Sequence, residues 1–240
     1  LLLQELFGPR PQDPEIAALP DFWWRIVGAR KVLAEDPRFT RHASAVVEAL
    51  GFEPARTAFA PLRLRAILHD GHEQPVNASA YVVHRDTWYA HPSASFGAWI
   101  PLFDVSEEET FFLYPRFFGR PVLPNDSETF EYAAGAAIAR DREVAKSHRE
   151  AGRTIETPES ATGLDLGPRL GFSARRSEVL LFSSAHLHAT QRNASGRTRF
   201  SVDCRLVDLV DHANGLGAPN VDARCRGDAS VDYVRCAAGS

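Results

Sequence analysis

EVLLFSSAHLHATQRNASGRTRFSVDCRL, residues 178–206, decides how this chain is read. Its first part begins apolar and ends in a polar segment bearing His186 and His188. Its last part alternates: Arg199, Ser201, Asp203 and Arg205 fall on one side of a strand, and Phe200, Val202, Cys204 and Leu206 on the other. Asn193-Ala194-Ser195-Gly196 between them carries turn chemistry. The pattern therefore predicts two strands, 178–190 and 198–209, joined by a turn. A polar row beside a histidine-bearing strand predicts a wet cavity rather than a packed core. Parity places both His186 and His188 on one face, so periodicity does not choose between them.

Upstream, segments 57–69, 79–86, 96–103 and 110–114 are short, rich in β-branched and aromatic residues, and bounded by Pro, Gly, Asn and Asp, which predicts strands. Residues 1–56 read as helical. Phe22, Trp23, Ile26 and Val27 share one side of a helix opened by Pro20 and Asp21. Phe39, Ala43, Val46, Val47 and Leu50 recur at helical spacing after Asp36-Pro37, with Gly51 as C-terminal cap. Asn125 to Glu128 offers capping residues for a helical insertion over about 125–150 within the β core of 57–210. The charged segment 140–163 reads as a solvated helix end and loop, with a lid over a site as the sharper alternative. Residues 211–240 read as a surface excursion with one short helix near Val231–Cys236. The sum is a mainly β chain with flanking helices, a sandwich or barrel of one domain over 1–240.

Composition narrows the function classes. The net charge of -4 gives no reason to expect nucleic acid or an anionic membrane as partner. Three cysteines, Cys204, Cys225 and Cys236, without C-x-x-C spacing argue against a disulfide framework or a structural zinc site, and favour a reduced, cytoplasmic setting. The opening LLLQELFGPR is short, lacks a basic start and soon meets proline, unlike a signal peptide or a membrane span.

His84-Arg85-Asp86 carries the chemistry. On a strand, His84 and Asp86 point to one face together with Val82, while Tyr81, Val83 and Arg85 share the other. An inward-facing imidazole and carboxylate are costly to bury without a partner, and a divalent metal is one such partner. Two histidines and one carboxylate on one face of a metal make the facial triad of non-haem Fe(II) oxygenases. The guanidinium of Arg199, eleven residues beyond His188, suits a carboxylate.

These residues together resemble the phytanoyl-CoA dioxygenase-like Fe(II)/2-oxoglutarate oxygenases. That family's pattern has H-x-D, a tryptophan-bearing strand, a distal H-x-[ST]-x-x-N, and an arginine eleven residues after its histidine. Here it stands as His84-Arg85-Asp86, Trp99 in GAWIPL, His188-Ala189-Thr190 with Asn193, and Arg199. The resemblance implies a double-stranded β-helix (jelly-roll, cupin-like) core. It implies Fe(II) on His84, Asp86 and His188, and 2-oxoglutarate held by Arg199 with Thr190 and Trp99 assisting. O2 would be the co-reactant and a small molecule the substrate, hydroxylated with release of succinate and CO2. His186 becomes a neighbour of the site. A related bacterial subgroup with HRDTW, WIPL and YPR segments is more similar still. The family's glycine-rich segment after the tryptophan strand is replaced by DVSEEETFFLYPRFFGRP, residues 104–121, so substrate identity does not carry over. Related halogenases have glycine or alanine in place of Asp86, so its presence points to hydroxylation or another two-electron oxidation.

Two other readings share these residues: a cupin-like iron oxygenase that does not use 2-oxoglutarate, and a non-catalytic binding module on the same fold. Among remaining residues, Thr87, Trp88, Tyr89 and His91 are candidates for the substrate mouth or for loop packing, and Arg65 and Arg116 for an anionic substrate group, with structural ion pairs as the favoured reading. Glu107–Glu109 reads as a solvated turn, Trp23 and Trp24 as packing anchors, and Cys204 as buried and inert.

Overall fold

The computed structural model describes residues 2–73, 80–140 and 164–236. Helices α1 (Leu2–Phe7), α2 (Phe22–Glu35) and α3 (Pro37–Ala49) precede strands β1 (Thr57–Phe59), β2 (Arg63–Ile67), β3 (Ser95–Pro101) and β4 (Phe111–Leu113). Helix α4 (Tyr132–Arg140) follows, then β5 (Leu180–Ser183), β6 (His188–Thr190), β7 (Arg199–Asp208), α5 (Leu209–Ala213) and β8 (Val234–Arg235).

Two antiparallel sheets result. The larger has the order β5-β3-β7-β1-β8, and β2 shares with β1 the edge of β7 away from β3. The smaller pairs β4 with β6 and is widened by bridges from His84 to His188 on one edge and from Leu113 to Leu170 on the other. Trp99, Leu180 and Phe182 of the large sheet meet Phe111 and Leu113 of the small one in an aromatic cluster with Phe172. This is the jelly-roll arrangement, mainly β with helices on its outside.

Helices cover the outer face of the large sheet because its alternation demands cover there. Phe22, Ile26, Ala29 and Leu33 of α2 pack on Leu64, Ala66 and Phe200. Ala43 and Val47 of α3 pack on Phe59, Ala98, Cys204 and Leu206. Each large aliphatic or aromatic side chain buried this way contributes roughly 1.5–3 kcal/mol. Asp36 caps α3 by accepting from the Arg38 amide at 2.9 Å, Pro37 follows it, and Gly51 leaves the helix at φ +87°. Trp24 is 61% exposed, so it is no packing anchor, and Trp23 is 37% exposed. Helix α2 buries its 22/26/29/33 stripe, and the two tryptophans sit beside that stripe.

Several sequence expectations change. The strand expected over 178–190 is two strands in different sheets: β5 ends at Ser183 and the chain crosses through 184–187 to β6. The strand expected over 79–86 is only the His84 bridge, and Asp86 opens a 3-10 turn, Asp86–Tyr89. Crossover carbonyls hold that turn: the Thr87 amide donates to Ser184 O at 3.2 Å, and the Arg85 guanidinium donates to Ala185 O.

Asn125 does not cap a helix. Its buried amide donates to Val122 O and Asp222 O, and helix α4 starts later, at Tyr132. Most of the expected solvated segment and loop, residues 141–163, lies outside the described residues. At the other end, Val234 and Arg235 form β8 on the free edge of β1 where a helix was expected, because that edge offers unpaired backbone groups.

Candidate metal and cosubstrate site

His84 and His188 exchange both backbone hydrogen bonds, N to O at 3.0 and 2.9 Å, across the edge of the small sheet. Paired residues project to the same face, so their rings stand 4.3 Å apart between centroids. The Asp86 turn folds a carboxylate into the same place. One ligand-type atom from each of His84, Asp86 and His188 lies within 4.8 Å of the others. Periodicity on a strand predicted this convergence for His84 and Asp86, but the turn delivers it.

The imidazoles are set for coordination by their second nitrogens. His84 Nδ1 lies 3.0 Å from Val82 O, and His188 Nδ1 lies 3.0 Å from His186 O. An Nδ1–H donated to each carbonyl leaves each Nε2 with a free lone pair. Burial, reinforced by His188, pushes His84 down to about 3, and burial likewise lowers His188. Both rings are therefore neutral near pH 7. Phe182 and Phe111 wall His188 at 5.1 and 5.9 Å between centroids. Gly97 makes room for that wall, since a Cβ there would meet the Phe182 ring at 2.6 Å.

Asp86 is buried, and Arg205 grips it with Nη2 to Oδ1 at 2.6 Å and Nε to Oδ2 at 3.1 Å. Burial alone would raise the Asp86 carboxyl; Arg205 and then His188 hold it far below the ordinary carboxylate range. Two carboxylate oxygens offer about four lone-pair sites, so the fork leaves capacity for another partner. Arg205 also reaches Asp203 at 3.2 Å, and Asp203 takes Arg65 at 2.8 Å. Arg65 is thus an ion-pair residue, as expected.

Arg199 lies on the same face, 1% exposed, and among the described residues its guanidinium donates one hydrogen bond, to Ser201 Oγ at 3.1 Å. Its Nε is buried without a partner, and no carboxylate pairs with it among the described residues. Burial, then Arg65, lowers its pKa to about 10, so it stays charged. Trp99 stands with its ring centroid 5.5 Å from the guanidinium carbon, and its buried Nε1 also has no partner. His84, His188, Thr190, Arg199 and Trp99 line one cavity, together with Arg65, Asp203 and Arg205.

His186 does not join this group. The 184–187 crossover breaks strand parity, and His186 stacks on Phe118 at 4.5 Å between centroids. Of the expected mouth residues, Tyr89 meets the His84 ring edge-on at 5.3 Å. Trp88 is buried with Nε1 on Asp222, and His91 contacts the Tyr233 hydroxyl at 2.8 Å. Arg116 lies near Asp165 at 3.5 Å on the surface.

Two supports escaped the sequence reading, and a third residue, Asn193, was read only as part of the motif and the turn. Asp222, from the supposed surface excursion, sits 3.1–3.2 Å from Arg85 Nε, accepts from Trp88 Nε1 at 2.8 Å, and accepts from the Val122 amide at 2.8 Å. It fixes the His84–Trp88 turn from below. Glu109, expected in solvent, is buried: it accepts from the Ser106 amide at 3.0 Å and from Arg197 at 2.6 Å. Asn193 is the third, its amide donating to Ile67 O and Arg197 O, which ties the β6–β7 connection to the end of β2. The sequence signal for Asp222 was faint: an acidic residue in an otherwise uninformative tail.

No protein-family model matches the chain, and no curated protein sequence matches it. Solved structures with a similar fold include a non-heme monooxygenase, ThoJ in its apo form. It is 13% identical over 74% of this chain and 58% of that chain, with TM-score 0.48. EvdO2 from Micromonospora carbonacea var. aurantiaca, complexed with 2-oxoglutarate, is 14% identical over 76% and 64%, with TM-score 0.44. EctD from S. alaskensis, with 2-oxoglutarate and 5-hydroxyectoine, is 12% identical over 83% and 67%, with TM-score 0.43. The chain spans about three-fifths of the length of the first two. Such likeness assigns no residue a role, and the site stands on its own geometry. No helix among the described residues is long and apolar enough to cross a membrane.

Proposed function

We propose that this chain is an Fe(II)- and 2-oxoglutarate-dependent dioxygenase that hydroxylates a small molecule. One observation carries the reading: a buried His-Asp-His cluster with both Nε2 lone pairs free shares a cavity with a buried, carboxylate-free arginine. The donor set of two imidazoles and a carboxylate is what a non-haem iron site takes. Iron(II) with 2-oxoglutarate and O2 supplies the oxidising power, the keto acid leaving as succinate and CO2 while one oxygen atom goes to the substrate.

The chain's own residues do the rest. His84, Asp86 and His188 hold the metal. Arg205 keeps Asp86 ionised and oriented, and the Nδ1 contacts to Val82 O and His186 O fix the two rings. Arg199 donates to the far carboxylate of 2-oxoglutarate, with Thr190 and the Trp99 indole N–H beside it. Phe111, Phe182 and Trp99 keep this end of the cavity dry, which strengthens each charged contact.

Anaerobic addition of Fe(II) and 2-oxoglutarate tests the reading through the weak visible charge-transfer band of the bound pair. A metabolite screen for substrate-stimulated succinate follows. Absence of the band overturns the proposal. A cupin-like oxygenase independent of 2-oxoglutarate would instead retain turnover in Arg199→Ala and release no succinate.

A further inference from the structure

Arg65, Arg199 and Arg205 line the cavity, and they are not equally satisfied. Arg205 uses all three of its nitrogens, Nε and Nη2 on Asp86 and Nη1 on Asp203. Arg199 is sealed, with one bond to Ser201. Arg65 differs from both. Its Nε donates to Asp203 Oδ1 at 2.8 Å, the one hydrogen bond of its guanidinium among the described residues. Asp203 does not close a fork on it, since the other oxygen, Oδ2, takes Arg205 at 3.2 Å. A guanidinium carries five N–H donors, so the four on Arg65 Nη1 and Nη2 are unused.

The register fixes where those donors lie. Arg65 is aligned with Ser201 and Ile67 with Arg199, so Arg65 and Arg199 are diagonal neighbours on one face, about 7–8 Å apart. Leu64 and Ala66 on the opposite side of β2 are packed under α2, and alternation turns Arg65 inward to the cavity it lines. The polar row of β7 runs Arg199, Ser201, Asp203, Arg205. Arg65 faces its second member, between sealed Arg199 and the Asp86–Arg205 pair. Its side chain is 24% exposed, which leaves the amino groups accessible from the cavity. The charges do not cancel either. The three arginines stand against Asp86 and Asp203, and a ferrous ion with dianionic 2-oxoglutarate adds no net charge. One positive charge is left over beside the Trp99, Phe111 and Phe182 wall, where solvent screens it poorly.

We infer that Arg65 is a second carboxylate receptor of this cavity, its two amino groups forming the fork that Asp203 leaves open. Two groups have the chemistry to occupy it: the keto-acid carboxylate of the cosubstrate, and an acidic group on the substrate. The inference rests on the cosubstrate reading for giving Arg199 to the far carboxylate. It goes beyond that reading by adding a second anion contact, at a residue whose ion pair uses one donor of five.

Calorimetry on the Fe(II)-loaded protein under argon tests this in two arms. The first titrates 2-oxobutyrate, which keeps the keto-acid carboxylate and lacks the far one. The second titrates benzoate and benzamide, an anion and a neutral molecule of similar shape, with 2-oxoglutarate saturating. We expect Arg65→Gln to weaken the carboxylate of at least one arm about tenfold, the worth of a hydrogen bond to a charged group. Arg65→Lys restores part of the loss, and Arg116→Gln, a surface arginine beside Asp165, causes none. A loss for 2-oxobutyrate assigns the fork to the cosubstrate, and a loss for benzoate makes the substrate an acid. Carboxylate binding that is absent from the wild type in both arms, or that survives Arg65→Gln in both, overturns the inference. So does an equal loss for benzamide, or a loss of Fe(II) binding in Arg65→Gln, because either marks Arg65 as a support for Asp203 alone. Failure of 2-oxoglutarate to bind the wild type overturns the cosubstrate reading instead, and the benzoate–benzamide comparison repeated without it still reads Arg65 separately.

Discussion

His84 and His188 are reciprocal hydrogen-bonded partners, each amide donating to the other's carbonyl at 3.0 and 2.9 Å. The register of this one bridge sets the 4.3 Å spacing of the two rings. A slip by one residue would turn one ring to the opposite face and dissolve the cluster. His188→Ala is therefore expected to abolish tight Fe(II) binding, whereas His186→Ala, which removes a ring stacked on Phe118, keeps it. Equilibrium Fe(II) titration of the two variants checks this. Loss of iron from the His186 variant alone would reverse the ligand assignment.

Asp86→Ala removes a candidate metal ligand and leaves the Arg205 guanidinium with Asp203 as its one carboxylate partner among the described residues. Iron-dependent turnover should vanish, and stability should fall by about 3 kcal/mol, the low end for breaking a buried pair, because Asp203 still holds Arg205. Turnover of 2-oxoglutarate and chemical denaturation measure the two effects. Full decarboxylation under limiting iron would show that Asp86 is not a ligand.

Arg199→Ala is expected to weaken 2-oxoglutarate about 100-fold, in line with loss of a buried charge-assisted contact. Fe(II) binding should persist, since Arg199 touches none of the three candidate ligands. Calorimetric titration of each component in turn separates the outcomes. An unchanged 2-oxoglutarate affinity would favour the oxygenase that does without it.

Asp222→Ala takes the carboxylate from the buried Arg85 guanidinium, leaving it only backbone carbonyls of Ala185, Phe117 and Arg120 among the described residues, and unpairs the Trp88 indole N–H. A loss of about 3–5 kcal/mol is expected, with weaker iron binding because the His84–Trp88 turn loses its footing. A melting curve with and without Fe(II) tests this, and a variant as stable as the wild type would demote Asp222 to a bystander.

Burial, then Asp203, pushes the Cys204 thiol up to about 12. At pH 8 it holds almost no thiolate, the nucleophilic form. Maleimide should spare Cys204 in the folded protein and label it only on unfolding, as mass spectrometry of the peptides would show. Labelling at the unfolded rate would mean that the α3 face of the sheet is open.

Much of the site was legible because metal and carboxylate chemistry restricts residue types. His84, Asp86 and Arg199 were named from their side-chain chemistry, and His188, Thr190 and Trp99 were implied by the family resemblance; the six come to one region of the structure. The alternation on β7 also held, since a strand buried on one face and polar on the other must alternate with period two. Where the reading failed, a contact distant in sequence had overruled local pattern. Asp86 sits on a turn because crossover carbonyls bind it there. Glu109 is buried because Arg197 and the Ser106 amide satisfy it.

By itself, then, the sequence determined the mainly β class, one helix opened by Pro20-Asp21 and another after Asp36-Pro37, and a short roster of residues able to bind metal and carboxylate. Those follow from hydrophobic period and side-chain chemistry, which are local. Only the tertiary structure decided that His186 leaves the site, that Asp222 supports the His84–Trp88 turn, and that Arg65 and Arg205 pair with carboxylates while Arg199, among the described residues, does not. The physical reason is that pairing of buried charges depends on which strands become neighbours. That choice is made by the fold as a whole.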